Sequence, residues 1–208
     1  MDAKARAHDG DADSEIDFQE ALLKKAKQGY IPAFEKLILQ YEKLIYNIAY
    51  RMFGNQEDAR DLSQETLIKI YKNIGKCVDI RHFKSWLYTV TGNTCIDELR
   101  RRKGKTTDSI DEDLEFSEGN VKKQMRSGDK TPEESYLNNE LGETLQKAIG
   151  RLSPDKRRLV ILRDIRGLSY AELSEITDTS MGTVKSKLAR ARGELKDILT
   201  KLKEQNKL

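Results

Sequence analysis

Apolar residues along most of this chain recur in steps of three and four, without the strict alternation of strands, so the pattern predicts helices. A short helix over 16–27 places Phe18, Leu22 and Ala26 on one side, and Gly29 stops it. Pro32 suits the first turn of a long second helix. Its stripe is Phe34, Leu37, Ile38, Tyr41, Leu44, Ile45, Ile48, Ala49 and Met52, ended by Gly54. Asn55 caps a helix predicted over 56–73 that buries Ala59, Leu62, Leu67 and Ile70. After the loop "NIGKCVDIRH", the segment "FKSWLYTVTGNTCIDELRRRK" sets Phe83, Trp86, Leu87, Val90 and Thr94 on one side and ends in four consecutive cations. Trp86 lies on that stripe and reads as core, whereas Tyr88 reads as exposed. These helices form one bundle.

The periodicity fails over 104–135, where Asp, Glu, Ser, Gly and Lys leave too few apolar residues to offset the entropy of ordering. It resumes near Pro132 with the stripe Leu137, Leu141, Leu145, Ile149 and Leu152. Ser153-Pro154 opens a helix through Leu159, Leu162 and Ile165 to Gly167. Ser169 to Glu172 spells a capping box for a short helix ending near Thr177, and Asp178 falls where the turn needs a left-handed residue. A last helix runs from Met181 to about Lys203 on a seam of Val184, Leu188, Ala191, Leu195, Ile198 and Leu202. The expected fold is all-α, with two small helical domains joined by a flexible acidic linker. The boundaries are a disordered leader over 1–15, a first domain over 16–105, the linker over 106–134 and a second domain over 135–208.

Composition narrows the function. No apolar run approaches the roughly 20 residues of a membrane span, and "MDAKARAHDGDADSE" lacks the apolar centre of a secretory signal. Cys77 and Cys95 read as reduced thiols of a cytoplasmic protein. With two histidines and no CxxC pair, neither a metal site nor a cofactor is expected. No nucleophile–base pair or phosphate-binding glycine loop is present, which argues against an enzyme and a small-molecule substrate. The net charge of +3 conceals an asymmetry: residues 106–140 hold ten acids against four bases, and 151–203 hold thirteen bases against seven acids.

The last two helices fit a helix-turn-helix. "TSMGTVKSKLARAR" carries Lys185, Lys187, Arg190 and Arg192 and no acid. At 100° per residue, Gly182, Thr183, Ser186, Ala189 and Arg190 lie opposite the Val184 seam, with Lys185, Arg192 and Lys187 at the borders. Small and hydroxylated residues let such a face enter a major groove, and the cations reach phosphates or a guanine edge. A membrane helix would set Trp, Phe or Leu beside the basic face, and they are missing. A stand-alone helix-turn-helix regulator is the alternative at this point.

Three segments now stand in order: "DARDLSQETLIKIYKNI", "FKSWLYTVTGNTCIDELRRRK" and "LSPDKRRLVILRDIRGLSYAELSEITDTSMGTVKSKLARAR". Together they resemble a bacterial RNA polymerase sigma factor of the sigma-70 family, extracytoplasmic-function group, over about 18–105 and 135–200. The resemblance implies an alternative, stress-responsive sigma factor. Its partners would be core RNA polymerase (the largest subunit's clamp helices and the beta flap), promoter DNA and an anti-sigma factor, often membrane-bound in this group. It places polymerase docking on Asp58, Asp61, Gln64 and Glu65. It places capture of the melted −10 strand on Arg81, His82, Lys84, Tyr88, Asn93, Arg100 and Arg101. Duplex −35 contacts fall on Thr183, Lys185, Ser186, Lys187, Ala189 and Arg190, in agreement with the wheel. Primary members of the family carry a Trp pair that wedges the duplex, where this chain has Thr89-Val90. Relatives often have a Pro-hydrophobic pair where this chain has Ser180-Met181.

Overall fold

The computed structural model describes the backbone of residues 3–107 and 132–205 and the side chains of 14–104 and 141–205. Among them all regular structure is helical: α1 (Ala3–Lys27), α2 (Ile31–Ile38), α3 (Glu42–Phe53), α4 (Gln56–Asn73), α5 (Ile80–Thr107), α6 (Pro132–Gly150), α7 (Pro154–Val160), α8 (Tyr170–Thr177) and α9 (Met181–Gln205). The expected linker falls outside the described residues, except that 106–107 close α5 and 132–134 open α6.

Local chemistry explains the boundaries. Gly29 and Gly54 take φ of 86° and 84°, the left-handed conformation that ends α1 and α3 without a Cβ penalty. Asn55 caps α4 by accepting from the Asp58 backbone N at 2.8 Å. Asp79 does the same for α5, accepting from the His82 backbone N at 3.0 Å, and Glu20 of α1 accepts from the Ile80 N at 2.7 Å. Ser153 stands before Pro154 at the start of α7, but its side chain makes no cap bond.

Three expectations change. The leader continues α1 as helix back to Ala3, in keeping with its strong helix formers Ala3, Lys4, Ala5, Arg6 and Ala7. The long helix from Pro32 divides, with a 3-10 turn at Leu39–Tyr41 separating α2 from α3 and turning Tyr41 edge-on to Phe83 at 5.3 Å. Leu141, 57 % exposed, and Ile165 leave the second domain's stripes, and α7 runs on through a π-helical turn at Ile161–Ile165.

In the first bundle Leu23, Leu37, Ile45, Ile48, Met52, Ile70, Phe83 and Leu87 are fully buried. In the second, Ile149, Leu152, Ile161 and Leu162 pack with Leu173 of α8 and with Val184 and Leu188 of α9. The apolar cluster runs through both bundles, because α6 and α7 pack on α3, and α7 and α8 pack on α5. Helix α5 is therefore covered on two sides, and Tyr88 is only 4 % exposed. The reading of Tyr88 as exposed is corrected: it lies one turn before Gly92, on the side that the second bundle covers. Trp86 is half-buried against Phe83, as its place on the stripe predicts.

Candidate nucleic-acid interface

Helices α8 and α9 form the helix-turn-helix. The capping box at Ser169 closes in both directions: Glu172 N donates to Ser169 Oγ at 3.2 Å, and Ser169 N donates to Glu172 Oε2 at 2.7 Å. The bond from the Ser169 backbone N is the first cause that holds the Glu172 carboxyl below its ordinary range. Asp178 adopts φ 48°, the sole positive φ at a non-glycine among the described residues. Thr177 Oγ1, 2.8 Å from Thr179 Oγ1, and Ser174 Oγ, donating to Thr179 O at 2.5 Å, tie the turn together. Ser180 then caps α9, accepting from Thr183 N at 3.2 Å.

With Val184, Leu188 and Ala191 buried, the opposite side of α9 faces outward. Lys185, Ser186, Lys187, Ala189 and Arg190 are exposed, while Thr183 is half-buried with its Oγ1 2.9 Å from Ser180 Oγ. The cations divide by partner. Arg192 is held bidentately by Asp164, which raises its pKa. Lys185 leans over the Tyr170 ring at 5.5 Å, which Arg163 also covers at 4.7 Å. Lys187 and Arg190 have no ion pair among the described residues. Their charge is left for an external anion.

The acidic face of α4 is partly committed. Asp58 accepts two bonds from Arg102, at 2.6 and 2.8 Å, and one from Asn55 Nδ2 at 2.7 Å. The Arg102 bonds are the main reason its carboxyl sits below the usual carboxylate range. Glu65 pairs with Lys69 at 2.7 Å, and Asp61 and Gln64 are exposed. Asp58 thus anchors α4 to α5, leaving Asp61, Gln64 and Glu65 as the outward part of the face.

The residues predicted for the −10 strand are largely engaged. Arg81 and Lys84 are exposed, with Lys84 near enough to Glu172 to help lower its pKa. His82 Nδ1 lies 2.8 Å from Asp79 Oδ1. Arg101 grips Glu98 with two bonds at 2.6 and 2.7 Å, and Arg102 adds one at 2.8 Å. Arg100 donates to Asp155 of α7 at 2.9 Å. Asn93 accepts from Arg158 of α7 at 2.8 Å.

Sequence reasoning passed over Arg157 and Arg158. Both are 6 % exposed, and burial lowers the pKa of each, to about 10 for Arg157. Arg157 donates to Met52 O at the end of α3, and to Gly150 O and Leu152 O. Arg158 also donates to Ile176 O at 2.8 Å. The available signal was position: Arg158 stands one turn before Leu162, on the buried side of its helix.

Comparisons with known proteins match residues 37–105 to Sigma-70 region 2 and 142–195 to Sigma-70, region 4. ECF RNA polymerase sigma factor SigW of Bacillus subtilis is 33 % identical over 181 residues, 86 % of this chain and 96 % of that one. ECF RNA polymerase sigma factor SigE of Mycolicibacterium smegmatis is 35 % identical over 174 residues; the match spans 84 % of this chain and 64 % of the relative. The sigma factor RpoE of Bartonella quintana, solved with the anti-sigma factor NepR, shares 26 % identity and a TM-score of 0.62 over 80 % of this chain and 96 % of its own. With both sigma regions matched in order and SigW aligned over 96 % of its length, the chain belongs to the ECF RNA polymerase sigma factors, the group of alternative sigma factors that direct transcription initiation.

Proposed function

We propose that this chain directs initiation at two-part promoters as the specificity subunit of core RNA polymerase, and that its two bundles divide the promoter between them. Asp61, Gln64 and Glu65, with Asp58 holding their helix in place, meet the clamp helices of the largest subunit, and the second bundle meets the beta flap. Arg81, His82, Lys84, Asn93, Arg100 and Arg101 take the melted −10 strand; Tyr88, being buried, packs α5 instead. Thr183, Lys185, Ser186, Lys187, Ala189 and Arg190 take the −35 duplex. RNA synthesis itself belongs to the polymerase, and no small molecule is consumed by this chain. Among the described residues no helix is long and apolar enough to cross a membrane, and the chain works in the cytoplasm. An anti-sigma factor holds it, as NepR is found with RpoE of Bartonella quintana.

The observation that carries this reading is the pair of cations, Lys187 and Arg190, left without a carboxylate on the outward face of α9, in a chain whose α4 shows outward acids. A stand-alone regulator has no use for the α4 face. The test is transcription in vitro with purified core polymerase on a pool of randomised promoters. Added protein yields discrete starts downstream of a shared two-part motif. Tight binding of one duplex site by the protein alone, with no new starts, overturns the proposal.

A further inference from the structure

Within the first bundle, α1 is tied to the start of α5 by polar bonds that apolar packing alone does not require. Residues 74–79 join α4 to α5 through a 3-10 turn at Ile74–Lys76. Ile74, Cys77 and Ile80 are buried, whereas Val78 is 77 % exposed. The backbone on both sides of Val78 is nevertheless fixed. Lys27 Nζ donates to Val78 O at 3.1 Å, and Glu20 Oε2 accepts from Ile80 N at 2.7 Å. Cys77 Sγ donates to Asp79 O at 3.2 Å.

Glu20 and Lys27 stand two helical turns apart on one face of α1, roughly 10 Å along its axis. They offer one acceptor and one donor to an N–H and a carbonyl two residues apart on the connection. That N–H is the first of the donors α5 leaves without an intrahelical partner. Asp79 already caps the helix locally through His82 N, so α5 has a start signal without Glu20. What α1 adds is position. It ties the connection, and with it the first turn of α5, to residues 51 and 60 positions earlier in the chain. That turn carries Arg81, His82 and Lys84, all exposed.

We propose that Glu20 and Lys27 are positioning residues for promoter reading: through Ile80 N and Val78 O they set the place at which Arg81, His82 and Lys84 meet the melted −10 strand. The reading rests on the assignment of those three residues to that strand. Neither Glu20 nor Lys27 touches DNA in it. Phosphates repeat along a strand, so cations on a loosened connection still find them in several registers. Bases do not repeat, and telling them apart needs side chains held at one place. Loss of the two bonds therefore costs discrimination at −10 more than it costs affinity for a strand.

The experiment uses the full chain with core polymerase and sets Glu20→Ala and Lys27→Met beside the conservative Glu20→Gln and Lys27→Arg. Gln keeps an oxygen for Ile80 N, and Arg keeps donors for Val78 O. Transcription in vitro is read on two template pools, one randomised at −10 and one at −35. Glu20→Ala and Lys27→Met narrow the ratio between preferred and disfavoured −10 sequences at least about fivefold and leave the −35 preference unchanged. The conservative variants restore the ratio. Hydrogen exchange of the amides over 77–82 reports the clamp without DNA: it quickens about tenfold in Glu20→Ala while the amides of α3 keep their rates. Unchanged exchange over 77–82 refutes the clamp. Exchange that quickens through α3 as well makes Glu20 a residue of general stability and refutes the positioning role. So does faster local exchange with an unchanged −10 preference, an equal loss of preference at −35, or a loss that Gln and Arg fail to restore. The −10 assignment is judged separately by Arg81→Ala combined with Lys84→Ala: an unchanged −10 preference removes that assignment, while exchange still judges the clamp.

Discussion

Replacing Arg102 by Gln separates α4 from α5 at a single point. The guanidinium makes two bonds to Asp58 and one to Glu98, and lies 5.1 Å over the Phe53 ring. Stranding a fully buried charge costs about 3–5 kcal/mol, while an exposed ion pair is worth about 0.2–1 kcal/mol. Neither limit applies. Asp58 keeps Asn55 and Glu98 keeps Arg101, so no acid is stranded. The three bonds are short, and the Glu98 side chain is only 12 % exposed, so the network exceeds an ordinary surface pair. A loss of about 1.5 kcal/mol at pH 7 follows, a urea-midpoint shift of roughly 0.7 M for a slope near 2 kcal/mol/M. The pH dependence has a definite sign. Asp58 is held down chiefly by Arg102, and Glu98 lies at about 2, held first by Arg101 and then by Arg102. Depressed carboxylates stabilise the fold above their unfolded values near 4, and the contribution disappears as pH falls toward their folded values. Urea titrations of both proteins from pH 7 to pH 3 should therefore draw closer toward the acid end. A difference below about 0.5 kcal/mol at pH 7, or one that does not shrink by pH 3, refutes the reasoning.

Phe83→Ala, at a fully buried ring against Tyr41 and Trp86, should cost about 3–5 kcal/mol in urea unfolding, with a loss under 2 kcal/mol contradicting its central place. Lys187→Ala should reduce the salt slope of promoter binding by about 1 and weaken all −35 sequences alike. Arg190→Ala should cost about 1–3 kcal/mol and relax one −35 position, whereas a uniform loss would make it a phosphate contact. Burial pushes the Cys77 thiol to about 11 and the Cys95 thiol to about 12, so an aromatic disulfide reagent should titrate neither at pH 8 until denaturant is added.

The parts of the fold that rest on neighbours in sequence were legible in it. Asn55, the Ser169–Glu172 box, left-handed Asp178 and the Val184–Leu188–Ala191 seam are local chemistry, and each stands where the pattern puts it. The 3-10 turn at Leu39–Tyr41 was not, because the apolar steps run through it unbroken and no Pro or Gly interrupts them. Tyr88 was misread because a wheel drawn for one bundle has one inner face, while α5 has two. The outward face of α9 was legible for the converse reason: none of the described residues covers it. The residues proposed on α5 could be picked out as types but not in their engagements, since Asn93 and Arg100 find their partners 65 and 55 residues away.

Arg157 and Arg158 meet carbonyls and one amide where carboxylates would be usual. Their bonds are buried and not mutually ionic, so counterions have little to screen. Strand and duplex binding, by contrast, weaken steeply as salt rises. Rising salt should therefore loosen DNA long before it loosens the contact between the two bundles.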